Sequence, residues 1–198
     1  MTWVKLCGMT RRQDVEAAVA LGADAVGFVL YEGSPRRVGA DDAARLGAGI
    51  PIGRFLVTVD ETPERLVDMA LAAGATGVQP HGRHATGAAA AALAAGLAVL
   101  YPVPVGAGPI DVNTVPAGCT PILDTKSTRH GGTGRPFDWN ALPVISRDWV
   151  LAGGLTPGTV GAALRALGPW GVDVASGVET APGEKDRDLM REFIEATR

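Results

Sequence analysis

Apolar residues in this chain fall into two patterns: short unbroken runs, and longer stretches in which they return every third or fourth position. The unbroken runs, bounded by glycine, proline or charge, predict strands buried on both faces of a parallel sheet, and the periodic stretches predict amphipathic helices. Residues 4–7 form the first strand. The helix after it is expected to open at Thr10 as N-cap, to carry Val15, Ala18 and Val19 on one face, and to stop at Gly22. Residues 25–30 predict the second strand, and a loop over 31–39 leads to a helix over 40–46 and a third strand over 54–59. Thr62 and Pro63 supply an N-cap and first-turn proline for a helix striped by Leu66, Met69, Ala70 and Ala73. A fourth strand, 77–79, is expected to be cut short at Pro80. An alanine-rich helix over 85–95 then precedes the fifth strand, 97–103.

In the second half the helical signal weakens first. Between 104 and 118 only a short segment near 110–115 carries it, so the fifth helix is expected to be reduced. Residues 121–123 predict a sixth strand ending in Asp124, followed by a polar loop through Gly131-Gly132-Thr133-Gly134 and a stub of helix at 137–139. A seventh strand over 149–152 turns at Gly153-Gly154 into a helix opened by Thr156-Pro157 and running over 160–167. The eighth strand, 172–175, and a closing helix, 186–196, complete the pattern. Eight strands alternating with helices predict an α/β fold, a minimal single-domain (β/α)8 TIM barrel over residues 1–198. An open doubly wound sheet would need fewer strands and a glycine-rich turn after the first, and here such turns come late. A faint repeat, Gly22-Ala23-Asp24, Gly74-Ala75-Thr76 and Gly171-Val172-Asp173, marks the approach to even-numbered strands and suits a barrel assembled from repeated units.

Composition narrows the function. With 198 residues, 46% hydrophobic and 20% charged, the chain can bury one substantial core. Eighteen Lys and Arg against 21 Asp and Glu give a net charge of −3 with no long basic run, which excludes nucleic acid or an anionic membrane as the main partner. No apolar stretch reaches membrane-spanning length, and Lys5 and Gly8 interrupt the start before a signal peptide could form, so a cytoplasmic protein is expected. Cys7 and Cys119 do not make a disulfide framework, and neither clusters with His81, His84 or His130 in a metal-type spacing.

In such barrels chemistry sits where strands end and βα loops begin. That rule selects Cys7, Arg36, Gln79 with His81, Asp124, Gly153-Gly154 and Asp173, and sends Cys119 to the opposite face. A glycine cluster by itself need only turn the chain. Three of them after consecutive late strands suggest a phosphate cradle of backbone N–H groups, with Gly132, Gly134, Gly153, Gly154, Ser176 and Gly177 as candidates. Cys7 and Asp124, at the ends of strands one and six, could face each other across the mouth as base and acid. A lone cysteine is more commonly a buried apolar residue, whereas a carboxylate directly after Ile122-Leu123 is poorly placed unless it faces a polar cavity. A thiol needs a neighbouring cation to ionise near neutrality, and Lys5, two residues back, should point to the same side of the strand. Arg36 fits the clamping of an anionic group, while Arg37 reads as a solvated loop residue. His81 fits a ligand contact and a polar rim residue equally. Lys5, Arg36, Gln79, His81 and Asp173 are thus the substrate-binding candidates.

Several strings in order, Lys-Leu-Cys-Gly-Met-Thr at 5–10, Gly-Phe-Val at 27–29 with Ser-Pro-Arg at 34–36, Val-Gln-Pro-His-Gly at 78–82, Leu-Asp-Thr-Lys at 123–126, Gly-Gly-Thr-Gly at 131–134, Phe-Asp-Trp at 137–139, Ala-Gly-Gly-Leu at 152–155 and Asp-Val-Ala-Ser-Gly-Val-Glu at 173–179, give the chain a resemblance to the phosphoribosylanthranilate isomerases of tryptophan biosynthesis. The resemblance covers nearly the whole chain. It implies an Amadori rearrangement of a phosphorylated sugar carrying anthranilate, without metal or organic cofactor. It also implies that Cys7 is the general base, Asp124 the general acid, Arg36 the contact for the anthranilate carboxylate, and the glycine clusters the phosphate site. Three departures stand out: Pro80 replaces a leucine, Thr58 replaces a phenylalanine, and the region after strand five is reduced. A related histidine-pathway or bifunctional isomerase would have an aspartate where Cys7 stands and phosphate sites in both halves. A catalytically silent phosphate-binding barrel has no need of both Cys7 and Asp124. Monomer and homodimer are equally open.

Overall fold

The structure is a computed structural model, and it describes residues 1–105, 110, 112–124 and 145–198. Eight parallel strands close into a barrel in chain order: β1 (Trp3–Cys7), β2 (Ala25–Val29), β3 (Gly53–Val59), β4 (Gly77–His81), β5 (Ala98–Pro104), β6 (Thr120–Asp124), β7 (Val150–Ala152) and β8 (Gly171–Val174), with β8 pairing back onto β1. Around them lie α1 (Arg12–Leu21), α2 (Ala40–Gly47), α3 (Pro63–Ala72), α4 (Ala85–Ala94), α5 (Pro157–Leu167) and α6 (Arg187–Glu195). Between β5 and β6 the described residues hold only a 3-10 turn, Val112–Thr114, as the weak pattern there predicts. The stub expected at 137–139 lies outside the described residues. Among those described, no helix is long and apolar enough to cross a membrane.

Strand alternation divides the core in two. Val4 and Leu6 of β1, with Val26, Phe28, Leu56 and Leu123 of other strands, turn outward and pack under the helices. Residues between them turn inward: Ala25, Phe55, Leu100, Ile122, Val150 and Ala152 fill the barrel together with Trp3. Trp3 plugs the lower end, stacked on Trp170 with centroids 5.1 Å apart and meeting the edge of Phe55 at 6.0 Å. Each of the larger ones, Phe55, Leu100, Ile122 and Val150, once buried contributes about 1.5–3 kcal/mol.

The short repeat has a physical role. Asp24 and Thr76, each in the loop before an even-numbered strand, hold the start of the preceding one. Val4 N–H donates to Asp24 Oδ2 at 2.8 Å while Asp24 N–H donates to the Val4 carbonyl; Arg54 N–H donates to Thr76 Oγ1 at 2.8 Å while Thr76 N–H donates to the Arg54 carbonyl. Gly22 and Gly74, both at positive φ, turn the chain into these staples.

Two local expectations are corrected. Thr10 does not cap α1; its hydroxyl donates to the Gly183 carbonyl, and Arg11 occupies the cap position without a side-chain bond. A distant loop thus outcompetes the adjacent helix for that hydroxyl. Pro80 does not end β4, which runs on to His81. The pairing of β4 with β5 stops at Val78↔Val99, so the donor that proline lacks falls beyond the ladder on that side, while pairing with β3 continues to Val59↔His81. The structure also adds, after β8, a 3-10 turn, Ser176–Val178, and a hairpin of β9 (Glu179–Ala181) and β10 (Glu184–Lys185) that no apolar alternation announces.

Candidate active site

At the C-terminal ends of the strands lies a cavity of about 230 Å³. Cys7 of β1, Gln79 and His81 of β4, Asp124 of β6 and Asp173 of β8 face it, and the turns after β7 and β8 form one wall. The barrel order puts β1 and β6 three strands apart, through β8 and β7. A slightly larger cavity, about 290 Å³, opens at the other end between Trp3, Phe55 and Trp170. Its one carboxylate, Asp24, is taken up by the Val4 N–H, so the groups suited to proton transfer belong to the C-terminal end.

Cys7 is placed by two glycines. Gly8, at φ 76°, turns the chain so that Gly8 and Met9 both donate to the Gly27 carbonyl at 2.9 Å. Gly27, paired with Cys7 across the ladder, leaves the space the thiol needs: a Cβ there would stand 2.7 Å from Cys7 Sγ and 3.2 Å from Lys5 Cε.

Beneath the cavity runs a buried chain of hydrogen bonds. Lys5, wholly buried and on the Cys7 side of β1, donates through Nζ to Gln79 Oε1 at 2.9 Å and to Asp173 Oδ1 at 3.0 Å. With its oxygen engaged, Gln79 presents its amide nitrogen to His81 Nε2 at 3.1 Å. That contact requires His81 Nε2 to accept, which assigns the ring proton to Nδ1. Lys5 therefore sits below the cavity rather than in its lining, and acts on a ligand only through Gln79, Asp173 and Cys7.

The electrostatics follow from burial and from this arrangement. Burial alone would pull the Lys5 ammonium down, but the Asp173 carboxylate and Cys7 outweigh it, and its pKa moves up. Burial pushes the Cys7 thiol up; Lys5 and Lys185 oppose the shift, Asp173 adds to it, and the net direction is up. The cation expected to ionise the thiol is present, but burial of the thiol outweighs it, and the Asp173 carboxylate adds to the upward shift.

Arg36 stands outside the lining of the cavity, its stem against the turn that follows Cys7: a Cβ on Gly8 would meet Arg36 Cδ. Its guanidinium is paired with Glu179, which also receives Lys185. Sequence reasoning missed both partners. Glu179 ends the last of the family-like strings, but nothing local marks Lys185. Thr58 and Pro80 alternate with Val57, Gln79 and His81, which face the cavity, so both departures from the family pattern turn away from it.

Of the phosphate candidates, Gly153, Gly154, Ser176 and Gly177 lie in the cavity wall, whereas Gly132 and Gly134 fall outside the described residues. Gly153 and Gly154 have φ of 91° and 65°, and Thr156, opening α5 behind them, donates its N–H to Thr159 Oγ1 at 3.0 Å. Gly177 is required for another reason. A Cβ there would lie 1.8 Å from the Leu155 carbonyl oxygen and 3.2 Å from Thr156 Cα, so the two turns meet backbone to backbone. Gly177→Ala is expected to cost about 1–3 kcal/mol as the turns are forced apart, read as a lower urea midpoint at unchanged m.

The likenesses to known proteins agree with this geometry. The family model for N-(5'phosphoribosyl)anthranilate (PRA) isomerase matches residues 4–196. N-(5'-phosphoribosyl)anthranilate isomerase of Rhodopseudomonas palustris (strain HaA2) is 41% identical over 211 residues, covering 98% of this chain and 95% of the relative. The crystal structure of phosphoribosyl anthranilate isomerase from Thermotoga maritima superposes with a TM-score of 0.86 at 35% identity, covering 99% of this chain and 98% of that one. A phosphoribosyl anthranilate isomerase in complex with reduced 1-(o-carboxyphenylamino)-1-deoxyribulose 5-phosphate gives 0.81 at 33%, with the same coverage. A closed eight-stranded parallel barrel that gathers a cysteine, an aspartate and paired glycine turns at one end, matched along nearly its whole length by these relatives, belongs to the N-(5'-phosphoribosyl)anthranilate isomerase family.

Proposed function

We propose that this chain, as one barrel domain over residues 1–198, converts N-(5'-phosphoribosyl)anthranilate to 1-(2-carboxyphenylamino)-1-deoxyribulose 5-phosphate in tryptophan biosynthesis, with Cys7 as general base and Asp124 as general acid. The observation that carries the assignment is that these two side chains face one cavity whose wall is made by the turns after β7 and β8. Asp124 gives its proton to the ribose ring oxygen as the C1–O bond breaks and the anilino nitrogen forms the Schiff base. Cys7 then takes the C2 proton, the electrons moving to nitrogen to give the enolamine, which tautomerises to the ketose. Both steps are proton transfers, and the reading assigns them to side chains alone.

In this reading Gly153, Gly154, Ser176 and Gly177, with Gly132 and Gly134, hold the phosphate, and Arg36 receives the anthranilate carboxylate. Gln79, His81 and Asp173 contact the sugar, oriented from below by Lys5. All of these residues come from one chain, which suits either a monomer or a homodimer; the Thermotoga maritima relative is described as dimeric. A cytoplasmic setting belongs to the same proposal, because Cys7 must stay reduced to serve as a base. The test is loss of the fluorescence of N-(5'-phosphoribosyl)anthranilate on adding purified protein. Turnover is expected; no turnover with phosphate-ligand binding intact would favour a silent barrel and overturn the proposal.

A further inference from the structure

Glu179 is the first residue after the 3-10 turn that closes β8, and its side chain is 4% exposed. Arg36 donates to it through Nε, at 2.9 Å to Oε1 and 3.1 Å to Oε2, and through Nη2, at 2.6 Å to Oε2. Lys185 Nζ, wholly buried, donates to Glu179 Oε1 at 2.6 Å and to the Ala175 carbonyl at 3.0 Å, and Gly183 N–H adds a contact at 3.3 Å. The hairpin that supplies Lys185 is tied in turn to the loop after Cys7. Lys185 N–H donates to Asp14, Arg11 donates to the Lys185 carbonyl and to Asp14, and Thr10 donates to the Gly183 carbonyl. Burial alone would raise the Glu179 carboxyl, but the hydrogen bonds from Arg36 and Lys185 hold it below the usual carboxylate range.

A guanidinium has two forked edges. Glu179 occupies the Nε–Nη2 edge, and among the described residues nothing engages Nη1. Two cationic side chains share one carboxylate here, so the cluster can still attract an anion. We propose that Glu179, anchored by Lys185, is the positioning residue for Arg36: it grips one edge of the guanidinium and leaves the Nη1–Nη2 edge oriented for a planar aromatic carboxylate. This rests on the assignment of Arg36 above and adds the residue that gives it a single orientation. Without Glu179 the cation remains, but its plane is no longer set.

Glu179→Gln keeps the size of the side chain and leaves Arg36 with no carboxylate to pair with. The test is calorimetric binding of two ligands: the reduced product 1-(o-carboxyphenylamino)-1-deoxyribulose 5-phosphate, and the same compound lacking the aromatic carboxylate. Glu179→Gln should bind the carboxylated ligand about 10- to 100-fold more weakly, the scale of a clamp misplaced by about an ångström, and the other ligand about as the wild type does. KM should rise with kcat nearly unchanged. On an Arg36→Ala background the substitution should add nothing. Glu179→Gln/Lys185→Met removes the anion and its cation together and, where the single variant does not fold, must give the same split. Equal weakening of both ligands, or of neither, would overturn the inference. The comparison reads binding alone, so the result stands apart from the role of Cys7; a wild type that ignored the carboxylated ligand would instead overturn the substrate assignment.

Discussion

Cys7→Ser is expected to lower kcat by about 10³-fold, within the 10²–10⁴ range that a positioned acid or base commonly supplies, while KM changes little. Serine fits the space that Gly27 leaves for the sulfur, so the geometry survives. What is lost is acidity: a hydroxyl cannot give up its proton near neutrality even beside the Lys5 ammonium. Burial pushes the Cys7 thiol up, and Lys5 and Lys185 oppose the shift without reversing it. The sign follows. The base works deprotonated and its pKa is raised, so kcat/KM should climb with pH through the neutral and mildly alkaline range, and this limb should vanish in Cys7→Ser. Thermal melts of the two proteins should agree. Undiminished turnover by the serine variant would remove Cys7 from the mechanism.

Asp124→Asn is expected to cost about 10²–10⁴-fold in kcat by a different route. The amide matches the carboxyl in shape and can still hydrogen-bond, but it has no proton to transfer to the ring oxygen, so ring opening becomes the slow step. Because the shape is kept, the reduced product should bind the variant nearly as it binds the wild type, giving a kcat loss without a matching loss of affinity. A variant that loses affinity for the reduced product as steeply as it loses turnover would show that Asp124 holds the ligand rather than protonating it.

Both predictions depend on a layer that neither residue belongs to. Lys5 is one of the largest fully buried side chains in the barrel, and such a cation is tolerated only because Asp173 and Gln79 meet it from β8 and β4. Removing Asp173 leaves the Lys5 charge beneath the cavity uncompensated, and removing Gln79 leaves one of its buried donors without an acceptor. The residues assigned from sequence to the substrate thus divide by position: Gln79, His81 and Asp173 reach the cavity, Lys5 supports them from below, and Arg36 stands outside its lining.

Much of this was legible without coordinates. Unbroken apolar runs placed all eight strands within two residues of their observed ends, and Thr62-Pro63 and Thr156-Pro157 marked the starts of α3 and α5 correctly. Position at a strand end brought Cys7, Asp124, Gln79, His81 and Asp173 into one list, and the structure brings them to one cavity. The misreadings at Thr10 and Pro80 share a cause. Each applied a sound local rule at a point where a partner far along the chain, Gly183 in one case and the β3 and β5 ladders in the other, decides the outcome.

By itself, then, the sequence determined the order of elements, the closed barrel and the pair of residues at its mouth, because strand and helix periodicities are written over a few neighbouring positions. Only the tertiary structure decided which charges meet. Lys5 finds Asp173 across 168 positions, Arg36 finds Glu179 across 143, and Lys185 enters on a hairpin with no apolar pattern of its own. Such pairs exist only once β8 closes against β1, and closure is a property of the whole chain.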